Sequence, residues 1–140
     1  MLKAINHCNG NILKSLKYNI MTELSFGEKY NLRTKRFAVQ CILLYVKHCE
    51  KSEELRIIGR QFLRSSTSLA ANFRAFTRGR SEAEKFSKLC IVLEEADESV
   101  FWLELIEEAE LMPSENFNYV KNKAIELLKI ISTIRSRMKN

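Results

Sequence analysis

Arg56, Arg60, Arg64, Arg74, Arg78 and Arg80 fall within one short stretch of the chain. Taken at 100° per residue from Arg56, the positions of Arg60, Arg64, Arg74 and Arg78 share an arc of about 80°. Leu55, Ile58, Phe62, Leu69, Phe73 and Phe76 cluster on nearly the opposite side, so residues 53–80 read as a helix with one apolar and one guanidinium face. A guanidinium is permanently charged and presents a planar fork of donors suited to phosphate and carboxylate oxygens. Three readings follow. The stripe contacts successive phosphates of RNA or DNA without reading bases, it pairs with an acidic surface of the same or a neighbouring subunit, or it faces water. No aromatic residues interleave with the arginines, so a base-stacking platform is not expected.

Other reactive residue types lack the company that catalysis needs. Ser65, Ser66, Thr67 and Ser68 form a hydroxyl run in the middle of the same helix, with no activating base and no G-x-S-x-G turn. Such serines ordinarily bond back to the helix. Cys49 beside His48 reads as a buried thiol at a helix end, and no glycine loop is present to cradle phosphate. Asp97 and Glu104 are expected to point nearly into the seam of a later helix, where Arg60, Arg64 or the nearby hydroxyls would partner them. Bundles that bind di-iron use Glu-x-x-His pairs, and neither His7 nor His48 follows a glutamate at that spacing. The expectation is a non-enzymatic protein with no metal and no cofactor.

The elements that must position these groups are helical. Pro113 is the only proline of 140 residues and there are four glycines, so most of the chain lacks the punctuation of strands and hairpins. A first helix is expected from about Asn31 to Cys49, with Phe37, Cys41 and Leu44 beside Ala38, Ile42 and Tyr45 on its apolar face. The arginine-striped helix follows, with small residues Gly59, Ser66, Ala70 and Thr77 where another helix could approach closely. Ser81-Glu82-Ala83-Glu84 reads as a capping box opening a third helix, whose core line is Phe86, Leu89, Leu93, Ala96, Val100 and Leu103 and which stops near Met112, before Pro113. Ser114 caps a fourth helix with core positions Phe117, Val120, Ala124, Leu127, Ile131, Ile134 and Met138. Four amphipathic helices with short connections pack most simply as an all-α, antiparallel up-down-up-down four-helix bundle. Ile91, Trp102 and Leu105 lie off the third helix's main line and read as an oligomer interface.

The net charge of +6 conceals segregation. Residues 29–80 hold twelve basic against three acidic side chains, and residues 81–120 hold eleven acidic against two basic. Antiparallel packing would make these surfaces neighbours, within one chain or across a subunit boundary. The domain organisation is an N-terminal arm over residues 1–28, either flexible or the product of an over-extended start, and a bundle domain over 29–140. No apolar run approaches the ~18 residues that span a bilayer, and no secretory segment is evident, so a cytoplasmic protein with reduced Cys8, Cys41, Cys49 and Cys90 is expected.

The segment Phe62-Leu-Arg-Ser-Ser-Thr-Ser-Leu-Ala-Ala-Asn72, then Arg80-Ser81-Glu-Ala-Glu-Lys-Phe86 and Leu93-Glu-Glu-Ala-Asp-Glu-Ser-Val-Phe-Trp-Leu-Glu-Leu105, resembles the four helix bundle protein family, also called the 23S rRNA-intervening sequence protein family. The resemblance covers about residues 30–137. It departs from the family pattern at Ala70, where relatives carry Pro or Gly, and at Arg74-Ala75-Phe76, where relatives often read A-E-G or A-E-A. The resemblance implies a bundle that assembles into rings, pentamers among them. The chain is also similar to the basic accessory proteins of diversity-generating retroelements, which implies nucleic acid and a reverse transcriptase, or another protein, as partners. Two functions stand side by side: a ring-forming nucleic-acid-binding accessory of a nucleoprotein complex, and a self-assembling interaction module that binds no nucleic acid.

Overall fold

A computed structural model describes residues 24–138 of the chain. Four α-helices follow one another there: α1 (Phe26–His48), α2 (Glu53–Thr77), α3 (Glu82–Glu108) and α4 (Ser114–Met138), with no strand among the described residues. Most of the expected arm, with His7 and Cys8, lies outside the described residues. α1 begins at Phe26, ahead of the expected Asn31, because Ser25 and Glu28 form a reciprocal capping box. The Ser25 backbone N–H donates to Glu28 Oε2 at 2.9 Å, and the Glu28 N–H donates to Ser25 Oγ at 3.3 Å. Compactness divides the chain after Tyr30. Residues 24–30 hold the cap and a Phe26–Tyr30 ring pair with centroids 4.6 Å apart, and residues from Asn31 onward form the bundle.

Cross-helix contacts give the bundle its direction. Ser65 meets Ser99 and Ser68 meets Glu95, so α2 and α3 run antiparallel. Lys121 pairs with Glu107 while Arg135 lies over Phe86, which makes α3 and α4 antiparallel as well. Asn31 Nδ2 donates to Thr77 Oγ1 at 2.8 Å, placing Asn31 beside the end of α2, and Arg33 pairs with Glu126 of α4. This is the expected all-α antiparallel bundle. Phe62, Phe73 and Phe117, with Leu55, Leu69, Leu89, Leu103, Ile106 and Ile131, are fully buried at its centre. Each such side chain contributes about 1.5–3 kcal/mol of transfer free energy relative to exposure.

Ser52 and Ser81 cap α2 and α3, accepting from the N–H groups of Leu55 at 3.2 Å and Glu84 at 3.1 Å. The Ser81 box is not reciprocal: Glu84 Oε2 accepts from the Arg80 N–H at 2.9 Å instead. α3 stops at Glu108, before Met112, and the stop is local rather than set by Pro113. Glu110 takes φ 53°, the Leu111 N–H donates to the Ile106 carbonyl and the Glu110 N–H to the Glu107 carbonyl, both at 3.0 Å. That is a Schellman closure made without glycine.

Two faces differ from expectation. Ile42 of α1 is 41% exposed rather than part of the apolar face. On α3 the buried line is Leu89, Val92, Ala96, Ser99, Val100, Leu103 and Ile106, while Phe86 and Leu93 are half-buried. The helix is therefore turned by about 50° from its expected orientation. Asp97 and Glu104 are consequently exposed and do not enter the seam. Ser99 fits this line because its small hydroxyl donates to the Glu95 carbonyl at 2.7 Å and lies 3.1 Å from Ser65 Oγ, where α2 and α3 meet closely.

Candidate nucleic-acid interface

α2 holds Arg56, Arg60, Arg64 and Arg74 on one rod at about 1.5 Å of axis per residue, whereas the helix ends at Thr77, short of the expected residue 80, so that Arg78 is its C-cap and Arg80 lies in the turn beyond. Arg60, Arg64, Arg74, Arg78 and Arg80 are exposed and Arg56 is partly covered. Thr67 and Ala71 separate two groups, leaving about 15 Å of helix axis between Arg64 and Arg74. The groups differ in what neutralises them. In the first, Arg56 Nη1 lies 2.6 Å from Glu53 Oε2, and Arg64 bonds Glu98 and approaches Glu95 at 3.6 Å. Hydrogen bonds from Arg64 and from Trp102 hold the Glu98 carboxyl below the ordinary glutamate range, and the Arg64 guanidinium is correspondingly raised. In the second group, no carboxylate among the described residues pairs with Arg74, Arg78 or Arg80. Arg60 is equally unpaired.

Antiparallel packing adds what the linear stripe does not contain. The part of α1 just after Asn31, the end of α2, the start of α3 and the end of α4 share one end of the bundle, as the Asn31–Thr77 and Arg135–Phe86 contacts require. Residues 31–36, 74–88 and 129–138 bring together eleven basic side chains against Glu82 and Glu84, with Glu126 of α4 reaching this end to pair with Arg33. Lys35, Arg36, Lys129 and Arg137 are exposed there alongside Arg74, Arg78 and Arg80. At the other end, residues 47–56 and 104–121 set eight carboxylates against four Lys and Arg side chains. The bundle is charged along its axis. Reading by sequence segment missed Lys35, Arg36, Lys88, Lys129 and Arg137. The signal was available, because in an up-down-up-down bundle alternate helix termini share an end and their charges add.

The hydroxyl run is bonded within the bundle. Ser65, Ser66 and Thr67 donate back to the Phe62 and Leu63 carbonyls at 3.1, 3.2 and 2.7 Å, and Ser68 donates to Glu95 Oε1 at 3.0 Å. Burial pushes the Cys41 thiol up to about 12 and the Cys49 thiol up to about 11. Neither supplies a thiolate nucleophile at neutral pH. On α3, Ile91, Trp102 and Leu105 are half-buried, and the Trp102 indole N–H donates to Glu98 Oε1 at 3.0 Å. Phe101, next to Trp102, is the exposed aromatic of α3, at 47%. No helix among the described residues is long and apolar enough to cross a membrane.

No curated protein matches the chain. Among solved structures it is similar to a protein of unknown function from the S23 ribosomal protein family of Bacteroides thetaiotaomicron VPI-5482, with 32% sequence identity and a TM-score of 0.68 over 76% of this chain and 94% of that one. The family described as 23S rRNA-intervening sequence protein matches residues 28–133, which run from the first turn of α1 into the last turns of α4. With the match extending over all four helices, the chain belongs to the 23S rRNA-intervening sequence protein family.

Proposed function

We propose that the protein is a non-enzymatic, self-assembling bundle that binds RNA or DNA through its basic end, as an accessory of a nucleoprotein complex in a reducing, cytoplasmic setting. A reverse transcriptase is one protein partner of the kind such an accessory would serve. The observation that carries this reading is the gathering of eleven cations against three carboxylates, Glu82, Glu84 and the Arg33-bound Glu126, at one end of a rigid bundle. Such a surface releases counterions from a phosphate backbone and gives affinity without base readout. Among residues 31–138 no exposed large aromatic stands at this end, which favours phosphate contact over stacking.

Fluorescence anisotropy with labelled single-stranded RNA and duplex DNA across a salt series tests it. Binding is expected at low salt, with affinity falling steeply as salt rises. An Arg74→Ala/Arg78→Ala/Lys129→Ala/Arg137→Ala variant should bind more weakly, its salt slope reduced by about one for each phosphate contact removed. Arg64→Ala should matter less, because Glu98 and Glu95 already engage that guanidinium. Failure of the parent to bind either nucleic acid at low salt would overturn the reading. The second reading, a self-assembling interaction module alone, draws its support from that same Arg64 pairing, in which the chain's own acidic helix takes up part of the stripe.

A further inference from the structure

The eleven cations of the basic end are not alike in how they are held. Seven are exposed, so each long side chain must be brought to order when a ligand binds. Four are half-buried: Arg33, Lys85, Lys88 and Arg135. Arg33 pairs with Glu126, and Lys85 Nζ lies 2.9 Å from Glu82 Oε1, so two of the four have their charge answered within the chain. Lys88 and Arg135 pair with no carboxylate among the described residues.

Of these two, Arg135 is the one held in place. Its guanidinium carbon lies 6.0 Å from the centroid of the Phe86 ring, a separation at which the face of the ring attracts a cation. Its Nε is buried and meets no acceptor, so the side chain is positioned by the ring and not by a hydrogen bond from that nitrogen. A guanidinium taken partly out of water without a counter-charge loses hydration that the ring replaces only in part. The negative end of the α4 dipole favours a cation in this last turn, yet Arg137 supplies one from the exposed side without that loss. The arrangement is unfavourable in the free protein and suits a bound one. A guanidinium already fixed against a ring has little freedom left to lose when an anion arrives.

We propose that Arg135, steadied by Phe86, is the anchoring phosphate contact of the basic end, its Nη groups donating to the phosphate oxygens of a nucleic-acid backbone. Phe86 is then a positioning residue that acts through Arg135, and the exposed cations around them add charge but little geometry.

The proposal rests on the nucleic-acid reading above, and its test changes no charge. Fluorescence anisotropy at low salt compares the parent with Arg135→Lys, Arg137→Lys and Phe86→Leu on the same labelled single-stranded RNA and duplex DNA. Circular dichroism melts verify that each protein is folded at the assay temperature. A lysine keeps the charge but neither the planar fork nor the stacking surface. Arg135→Lys and Phe86→Leu should each weaken binding about threefold to tenfold, the advantage of one long side chain that need not be immobilised. Arg137→Lys should bind like the parent. The salt slope should be the same in all four, because the number of phosphates neutralised is unchanged. An Arg135→Lys variant that binds as tightly as the parent overturns the proposal, and so does an Arg137→Lys variant that loses as much. Should Phe86→Leu melt too low to assay, the two lysine variants decide alone. A parent that binds neither nucleic acid overturns the nucleic-acid reading and this contact with it, whereas a parent that binds and is matched by Arg135→Lys overturns this contact alone.

Discussion

Gly59 shows how a single position can contradict its own helix propensity. A glycine inside α2 costs about 1 kcal/mol relative to alanine in backbone terms. A methyl group there, however, would lie 2.8 Å from Cys49 Cβ, 3.0 Å from its Sγ and 3.1 Å from Tyr45 Cδ2. Cys49 is fully buried and its Cβ is fixed to the backbone, so the contact is not relieved by a rotamer change. Overpacking of this kind costs about 1–3 kcal/mol, which outweighs the propensity gain. Gly59→Ala should lower stability by up to about 2 kcal/mol in urea denaturation, whereas a rise would mean that the end of α1 shifts away at little cost. The sequence shows Gly59 among small residues suited to close helix approach, but it cannot show that Cys49 lies opposite, since that depends on how the turn after α1 closes. Likewise the left-handed turn at Glu110 that ends α3 has no glycine to announce it, and the proline three residues later draws attention to the wrong place.

At the scale of the helix, periodicity identifies all four elements and most buried positions of α2 and α4, because there one apolar line stands without competition. On α3 two lines share the same alternation of three and four. Phe86, Leu89, Leu93, Ala96, Val100 and Leu103 form one, and Val92, Ala96, Ser99, Leu103 and Ile106 the other. Hydrophobicity selects the first, since the second contains a serine. Packing selects the second because Ser99 satisfies its hydroxyl locally and on Ser65, which removes the penalty of burying it. The difference is measurable. Ile106→Ala empties a fully buried site and should cost about 2–5 kcal/mol, while Leu93→Ala, at a half-buried site, should cost clearly less. Equal losses in chemical denaturation would restore the first line as the true seam. The start of α1 was legible in principle, since Ser25-Phe26-Gly27-Glu28 has the capping-box spacing that was recognised at Ser81.

At the scale of the molecule, the distribution of charge follows from topology rather than from any one segment. The stripe on α2 suggests a basic side, yet its first half is largely answered by Glu53, Glu95 and Glu98, and the unanswered charge lies where four helix termini converge. Like charges so close together repel within the ~10 Å screening length of 0.1 M salt, so the folded state carries an electrostatic cost that the extended chain largely avoids. Reversing exposed members of the group should therefore stabilise the protein in the absence of a polyanion. A Lys35→Glu/Lys129→Glu/Arg137→Glu variant is expected to melt a few degrees above the parent at low ionic strength, roughly the shift of a 1 kcal/mol change for a chain of this size. The gain should shrink in 0.5 M sodium chloride as screening removes the repulsion from the parent too. The corresponding glutamines should give a smaller rise of the same sign, and both sets should lose affinity for nucleic acid. That combination would separate charge kept for a partner from charge kept for the fold. A reversed variant that melts lower than the parent would mean that the basic end is already compensated within the bundle, and the physical reason for expecting a polyanion there would go with it.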